Sequence, residues 1–138
     1  MVAEDVQDWP TGRLLSAAAR VVEHSWEGLL REHGLTHAGL IALHCLGSGP
    51  SPQRALAQLC RVTDQTMSRT VGKLVRGGFV ERSADPTDER KVVVTITGAG
   101  RGVHERMVAA ERSDAVLTSA VSDPAALRAA LVEILTRA

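Results

Sequence analysis

The chain has 138 residues, room for one small domain with a buried core. Apolar residues make up 44% and charged residues 23%, and no apolar run approaches the ~20 residues that span a bilayer, so the expected class is soluble and globular. Sixteen Lys/Arg balance sixteen Asp/Glu, but unevenly: Ser51 to Arg106 carries ten basic and six acidic residues, the rest six basic and ten acidic. A basic centre between acidic flanks suits a chain whose middle meets a polyanion while its ends face something else. The stretch MVAEDVQDWP is acidic and lacks the basic-then-apolar order of a secretory leader, so a cytoplasmic location is expected, with Cys45 and Cys60 reduced.

Residues 11–33 place Leu14, Leu15, Ala18, Val21, Val22, Leu29 and Leu30 at helical spacing, and Gly34 ends that helix. Thr36 reads as the N-cap of a second helix through Leu40, Ile41, Leu43, Cys45 and Leu46, closed by the breaker GSGPS. A short third helix follows from about Pro52 to Cys60, with Ala55, Leu56 and Leu59 inward. After the tight turn Arg61-Val62, Thr63 caps a fourth helix whose apolar stripe is Met67, Val71, Leu74 and Val75. Gly77 and Gly78 stop it, and the period then changes. Phe79–Arg82 and the β-branched run Lys91–Ile96 read as strands joined by the polar turn Ala84–Glu89. Thr97 caps a long fifth helix to about Ala120, and Ser122-Asp123-Pro124 opens a last one with Leu127, Leu131, Ile134 and Leu135 inward.

A short helix, a tight turn and an amphipathic helix make a helix-turn-helix, and the following hairpin makes it winged. The fold expected is therefore mainly α with a small β-hairpin wing. It is a single domain over residues 1–138, with a DNA-binding lobe at about 35–97 and dimerisation helices at 10–33 and 98–137. The polar face of the fourth helix and its cap offer Thr63, Gln65, Thr66, Ser68, Arg69, Thr70, Lys73 and Arg76, side chains that bond base edges and phosphates. The N-terminal half of such a helix is the end that enters the major groove. Asp64 fits better as a first-turn partner of the helix dipole. At the wing tip stand Arg90 and Lys91, where an arginine reaches a minor groove, and Asp88 can pair with Arg90 and set its direction.

The run DERKVVVTITGAGR, Asp88 to Arg101, resembles the wing signature of the multiple-antibiotic-resistance regulator (MarR) family. The matching positions are Asp88, Arg90, Val94, Thr97, Gly100 and Arg101, with Ile96 where the family carries Leu. LTHAGLIALHCL resembles the family's second helix, and LCRVTDQTMSRTVGKLVRGGFVER its recognition helix and the start of its wing. The resemblance covers about Leu35 to Arg106. It implies a homodimer built from N- and C-terminal helices. It also implies a regulator, usually a repressor, on a palindromic duplex operator, released by a small aromatic or phenolic ligand, an oxidant or a metal. No enzyme activity and no cofactor come with it. An effector pocket of this family lies where Trp26, His37 and His44 could reach it, although Trp26 is better explained as dimer core.

Other functions find less support in the residues. There is no Ser-His-Asp set, CxxC, paired-Glu or Gly-rich phosphate pattern, so an enzyme is not expected. The five histidines, His24, His33, His37, His44 and His104, include no tight ligand spacing, and no metal is expected. Cys45 and Cys60 sit among apolar neighbours and read as small hydrophobes rather than oxidant sensors. The alternatives are a winged-helix protein-interaction module without DNA binding, or a thiol- or metal-sensing variant of the same regulator.

Overall fold

The structure is a computed structural model describing residues 5–138. The first four residues of the acidic stretch 1–10 lie outside the described residues. The helices are α1 (Thr11–Glu32), α2 (His37–Leu46), α3 (Gln53–Leu59), α4 (Asp64–Arg76), α5 (Gly98–Ser113), α6 (Ala115–Ala120) and α7 (Pro124–Arg137), and the strands are β1 (Ser51–Pro52), β2 (Val80–Ala84) and β3 (Val92–Ile96). Contacts divide the chain into two compact units: a lobe, Glu27–Ala109, and a second unit formed by the residues up to Trp26 together with Ala110–Ala138.

The lobe holds every buried residue among those described. Its local signals act as the sequence suggests. Thr36 Oγ1 accepts the Gly39 amide at 3.0 Å to start α2, and Thr63 Oγ1 accepts the Thr66 amide at 3.0 Å to start α4. Gly34 and Gly78 take the left-handed conformation, φ 75° and 78°, that ends α1 and α4. The Leu35 and Phe79 amides, one residue on, close back to Leu30 and Leu74 carbonyls at 2.9 Å. The core gathers Leu30, Leu43, Leu46, Leu56, Met67, Val71, Leu74, Val80, Val94, Val103 and Met107 from seven different elements. It is an aliphatic core, as a chain with 2% aromatic residues requires.

Several expectations are corrected in the lobe. The wing is a three-stranded antiparallel sheet in the order β1-β3-β2, not a bare hairpin. Ser51 of the breaker and Pro52, read as the start of the third helix, pair with Val94 and Val93, and Pro52 precedes α3 rather than opening it. Strand β2 begins at Val80, because the Phe79 amide and carbonyl bond to Leu74 and Thr97 instead. On α4 the buried stripe includes Thr70, 8% exposed, while Val75 turns outward. On α3, Leu59 is 66% exposed. A β-branched hydroxyl residue and a helix-terminal leucine are placed by what surrounds them, not by local pattern.

In the second unit, the helix expected to run to Ala120 breaks at Asp114, whose φ of 49° separates α5 from α6. Asp123 caps α7 by accepting the Ala126 amide at 3.1 Å, with Pro124 in its first turn. No described residue of this unit is buried. Ile134 and Leu135, expected inward, are exposed, Leu135 to 76%, and so are Leu14, Leu15 and Val21 of the α1 stripe. Leu117, Leu127, Leu131 and Leu135 line an open apolar groove of ≈ 390 Å³.

Candidate nucleic-acid interface

The helix-turn-helix is α3, the turn Cys60–Thr63 and α4. The turn is tight enough that Arg61 takes a left-handed φ of 55°, and the Val62 amide reaches back to the Ala57 carbonyl at 3.0 Å. Met67, Thr70, Val71 and Leu74 hold α4 against the lobe. That orientation leaves Gln65, Ser68, Arg69, Lys73 and Arg76 on the exposed side. Gln65, Arg69 and Arg76 follow one another at the four- and seven-residue steps of a single helical face. Two hydroxyls at the start of the helix are engaged: Thr63 Oγ1, besides capping, donates to Thr66 Oγ1 at 3.0 Å. Asp64 sits in the first turn, where its charge complements the helix dipole.

The wing loop, residues 85–91, is exposed at its tip and ordered by its own polar groups. The Asp85 amide bonds the Lys91 carbonyl at 3.0 Å, and the Lys91 amide the Asp88 carbonyl at 3.0 Å. Asp85 Oδ1 accepts the Thr87 amide at 2.8 Å and its hydroxyl at 2.7 Å, which holds the Asp85 carboxyl below its ordinary pKa. Asp88 Oδ1 accepts both the Arg90 amide at 3.1 Å and Arg90 Nε at 3.3 Å. The pairing anticipated from spacing is thus formed, through one carboxylate oxygen rather than as a two-pronged fork. The Arg90 side chain remains 92% exposed. Apolar anchoring fades toward the tip: Ile96 and Val94 are buried, but Val92 is 38% exposed.

Helix and wing meet at one groove of ≈ 660 Å³, lined by Gln53, Arg54, Gln58 and Asp64 on one side and Asp88, Arg90 and Lys91 on the other. The sequence reading missed three polar groups here. Gln53 and Arg54 lie in the first turn of α3, which carried no signal beyond polarity. Arg82, on β2, donates from Nε to Gln53 Oε1 at 3.2 Å and from Nη2 to the Ser68 carbonyl at 2.7 Å, with Ser68 Oγ at 3.4 Å.

Trp26 is half-buried on α1 in the second unit. In the lobe, His37 opens α2 and is exposed, while the His44 ring faces His104 of α5, centroids 5.6 Å apart. Cys45 and Cys60 are free and neighbour one another; burial first, and the nearby Cys45 second, push the Cys60 thiol up to about 11. No cluster of three or more His, Cys, Asp or Glu among the described residues could hold a metal ion. Nor is any single described helix long and apolar enough to cross a membrane.

Residues 33–91 match the sequence profile of the MarR family. The chain is 31% identical to the HTH-type transcriptional regulator BilQ of Clostridium symbiosum, over 56% of this chain and 54% of that protein. It is 28% identical to the HTH-type transcriptional regulator YhjH of Bacillus subtilis, over 59% of this chain and 57% of the relative. The matches therefore span little more than half the length of these curated relatives. In fold it resembles Staphylococcus aureus MepR bound to an oligodeoxyribonucleotide, with a TM-score of 0.73, 18% identity, and 94% of this chain and 99% of that one covered. The winged sheet behind a capped α4 thus lies within a segment, residues 33–91, that is similar to the MarR family, and the fold as a whole is shared with MepR.

Proposed function

We propose that the chain is a homodimeric transcriptional regulator that binds a palindromic duplex operator and represses until a small aromatic or phenolic ligand releases it. The observation that carries the DNA reading is the pairing of two exposed polar surfaces on one lobe. The α4 face with Gln65, Arg69, Lys73 and Arg76 stands opposite a fully buried stripe, and the Arg90–Lys91 tip lies across a shared groove from the start of that helix. Such a helix suits the major groove and such a tip a minor groove. Arg69, in the N-terminal half of α4, reads a base; Lys73 and Arg76, further along, meet phosphates. The profile match and the DNA-bound MepR neighbour support the same reading.

The dimer is supported by the second unit's surface. A unit with no buried residue among those described, exposing Leu14, Leu15, Val21, Val132, Ile134 and Leu135, presents the apolar area that obligate interfaces cover. An acidic excess outside the central segment keeps that surface away from the phosphates. Two lobes related by a two-fold axis read half-sites about one helical turn apart. For the ligand, the family resemblance is the support, with Trp26, His37 and His44 as the residues to vary.

The test is fluorescence anisotropy on a random duplex pool, followed by selection of the retained sequences. Binding at low salt should lose about a thousandfold or more between 50 and 200 mM salt if six or more phosphates are neutralised. Absence of duplex binding at 50 mM salt would overturn the reading in favour of a protein-interaction module. Sedimentation at micromolar concentration should show a dimer, and small aromatic acids should be screened for release of the selected duplex.

A further inference from the structure

Among the wing cations, Arg82 bonds other elements of the lobe. It pairs across the sheet with Val94, two residues before β2 ends at Ala84 and the wing loop begins. Its guanidinium reaches Gln53, the first residue of α3, and Ser68, in the second turn of α4. One side chain therefore touches both helices of the helix-turn-helix from the wing strand. The Ser68 bond is the strongest of the three. At 2.7 Å it is short and charge-assisted, and it uses the second lone pair of a helical carbonyl whose first serves the helix. With Nε and Nη2 engaged, the planar fork has a fixed direction.

We propose that Arg82 is a positioning residue for duplex recognition. It fixes the angle between wing and recognition helix, so that Arg90 and Lys91 arrive at the duplex together with Gln65 and Arg69. This rests on the DNA-binding reading above. The mechanical need is plain. The wing loop anchors itself only to itself, and Val92, nearest the tip, is partly exposed, so packing fixes the base of the sheet but not its swing relative to α4. A link at Arg82, close to the loop, removes that freedom before binding rather than during it. The same link explains why the Ser68 hydroxyl, 3.4 Å from Nη2, has a partner within the lobe.

A direct phosphate contact by Arg82 is the competing explanation, and charge separates the two. Arg82→Lys keeps the cation and much of the stem but cannot span Gln53 and Ser68 with one ammonium. Arg82→Ala, Arg82→Lys and Gln53→Ala are titrated against the operator selected by the wild-type chain and against random duplex, at several salt concentrations. Amide exchange of β2 and of the wing loop is followed in the free proteins. Positioning predicts that Arg82→Lys loses operator affinity nearly as far as Arg82→Ala, by about tenfold, the scale of one or two charge-assisted bonds. Random duplex suffers less, the salt slope is unchanged for Arg82→Lys, and wing amides exchange faster. In a double-mutant cycle the Arg82 and Gln53 losses are less than additive, because both break one link. Wild-type affinity in Arg82→Lys, or a slope lowered by about one in Arg82→Ala with unchanged wing exchange, assigns Arg82 to a phosphate and overturns the proposal. If the wild-type chain binds no duplex at 50 mM salt, the DNA reading itself has failed, and the Arg82 proposal with it.

Discussion

Gly100→Ala should unfold the lobe far more readily than any neighbouring glycine change. A methyl group at residue 100 would overlap the Phe79 carbonyl oxygen and sit 2.8 Å from Ile96 Cγ1. Neither neighbour is free to retreat. The Phe79 carbonyl accepts the Thr97 amide at 3.0 Å, the Thr97 hydroxyl donates to the Gly78 carbonyl at 2.7 Å, and the same hydroxyl accepts the Gly100 amide at 3.1 Å. This knot ties the end of α4, both long wing strands and the start of α5. Overpacking against a fixed backbone costs about 1–3 kcal/mol, and a displaced Thr97–Phe79 bond adds about 1 kcal/mol. Alanine returns somewhat under ~1 kcal/mol through helix propensity. The net loss is about 1–3 kcal/mol, or a melting temperature lower by roughly 3–10 °C for a chain of this size. Gly98→Ala, two residues earlier with nothing within 4 Å of the added methyl, is the control and should be neutral or mildly stabilising. Thermal and urea unfolding followed by circular dichroism measure both. A Gly100→Ala variant within about 0.5 kcal/mol of wild type would show that the knot yields, and the packing argument would fail.

Other outcomes follow from the same geometry. Arg90→Ala should cut duplex affinity with fold and dimer intact, and Asp88→Ala should also weaken binding, although it removes a negative charge beside DNA, because Asp88 Oδ1 directs Arg90; tighter binding by Asp88→Ala would refute the orienting role. Thr63→Ala should cost about 1 kcal/mol of stability through the lost N-cap, with Thr63→Ser close to wild type in urea unfolding. The Cys60 thiol, raised from 9.0 to about 11 in the folded chain, must stay neutral to keep its place. Its contribution is present below the ordinary thiol pKa and is lost as pH climbs through about 9 to 11. Urea midpoints measured across that window should fall less steeply for Cys60→Ser; parallel curves would contradict the assignment.

The sequence by itself determined what is decided within about one helical turn or along one strand. Thr36, Thr63 and Asp123 cap their helices because the hydroxyl or carboxylate and the amide it accepts are three residues apart. Met67, Val71 and Leu74 align because their spacing is the helix period, and this alone turns Gln65, Arg69 and Arg76 outward. The Asp88–Arg90 pair is two residues long and equally local. The tertiary structure decided whatever needs a partner far along the chain. Ser51 reads as the end of a breaker and Pro52 as the start of a helix, and the two become a strand only because Val93 and Val94, some forty residues on, offer an edge. Thr70 is buried and Leu59 exposed because the neighbours of α3 and α4, not their own periodicity, decide which flank is covered. Gly100 is one letter of a signature in the sequence; only the approach of Phe79 shows why no side chain fits there. Arg82 carries no pattern at all, since its partners lie 29 and 14 residues away on other elements. Local periodicity and capping report the hydrogen bonds a segment makes with itself, whereas burial, pairing and crowding are set by contacts that form when distant segments close on one another.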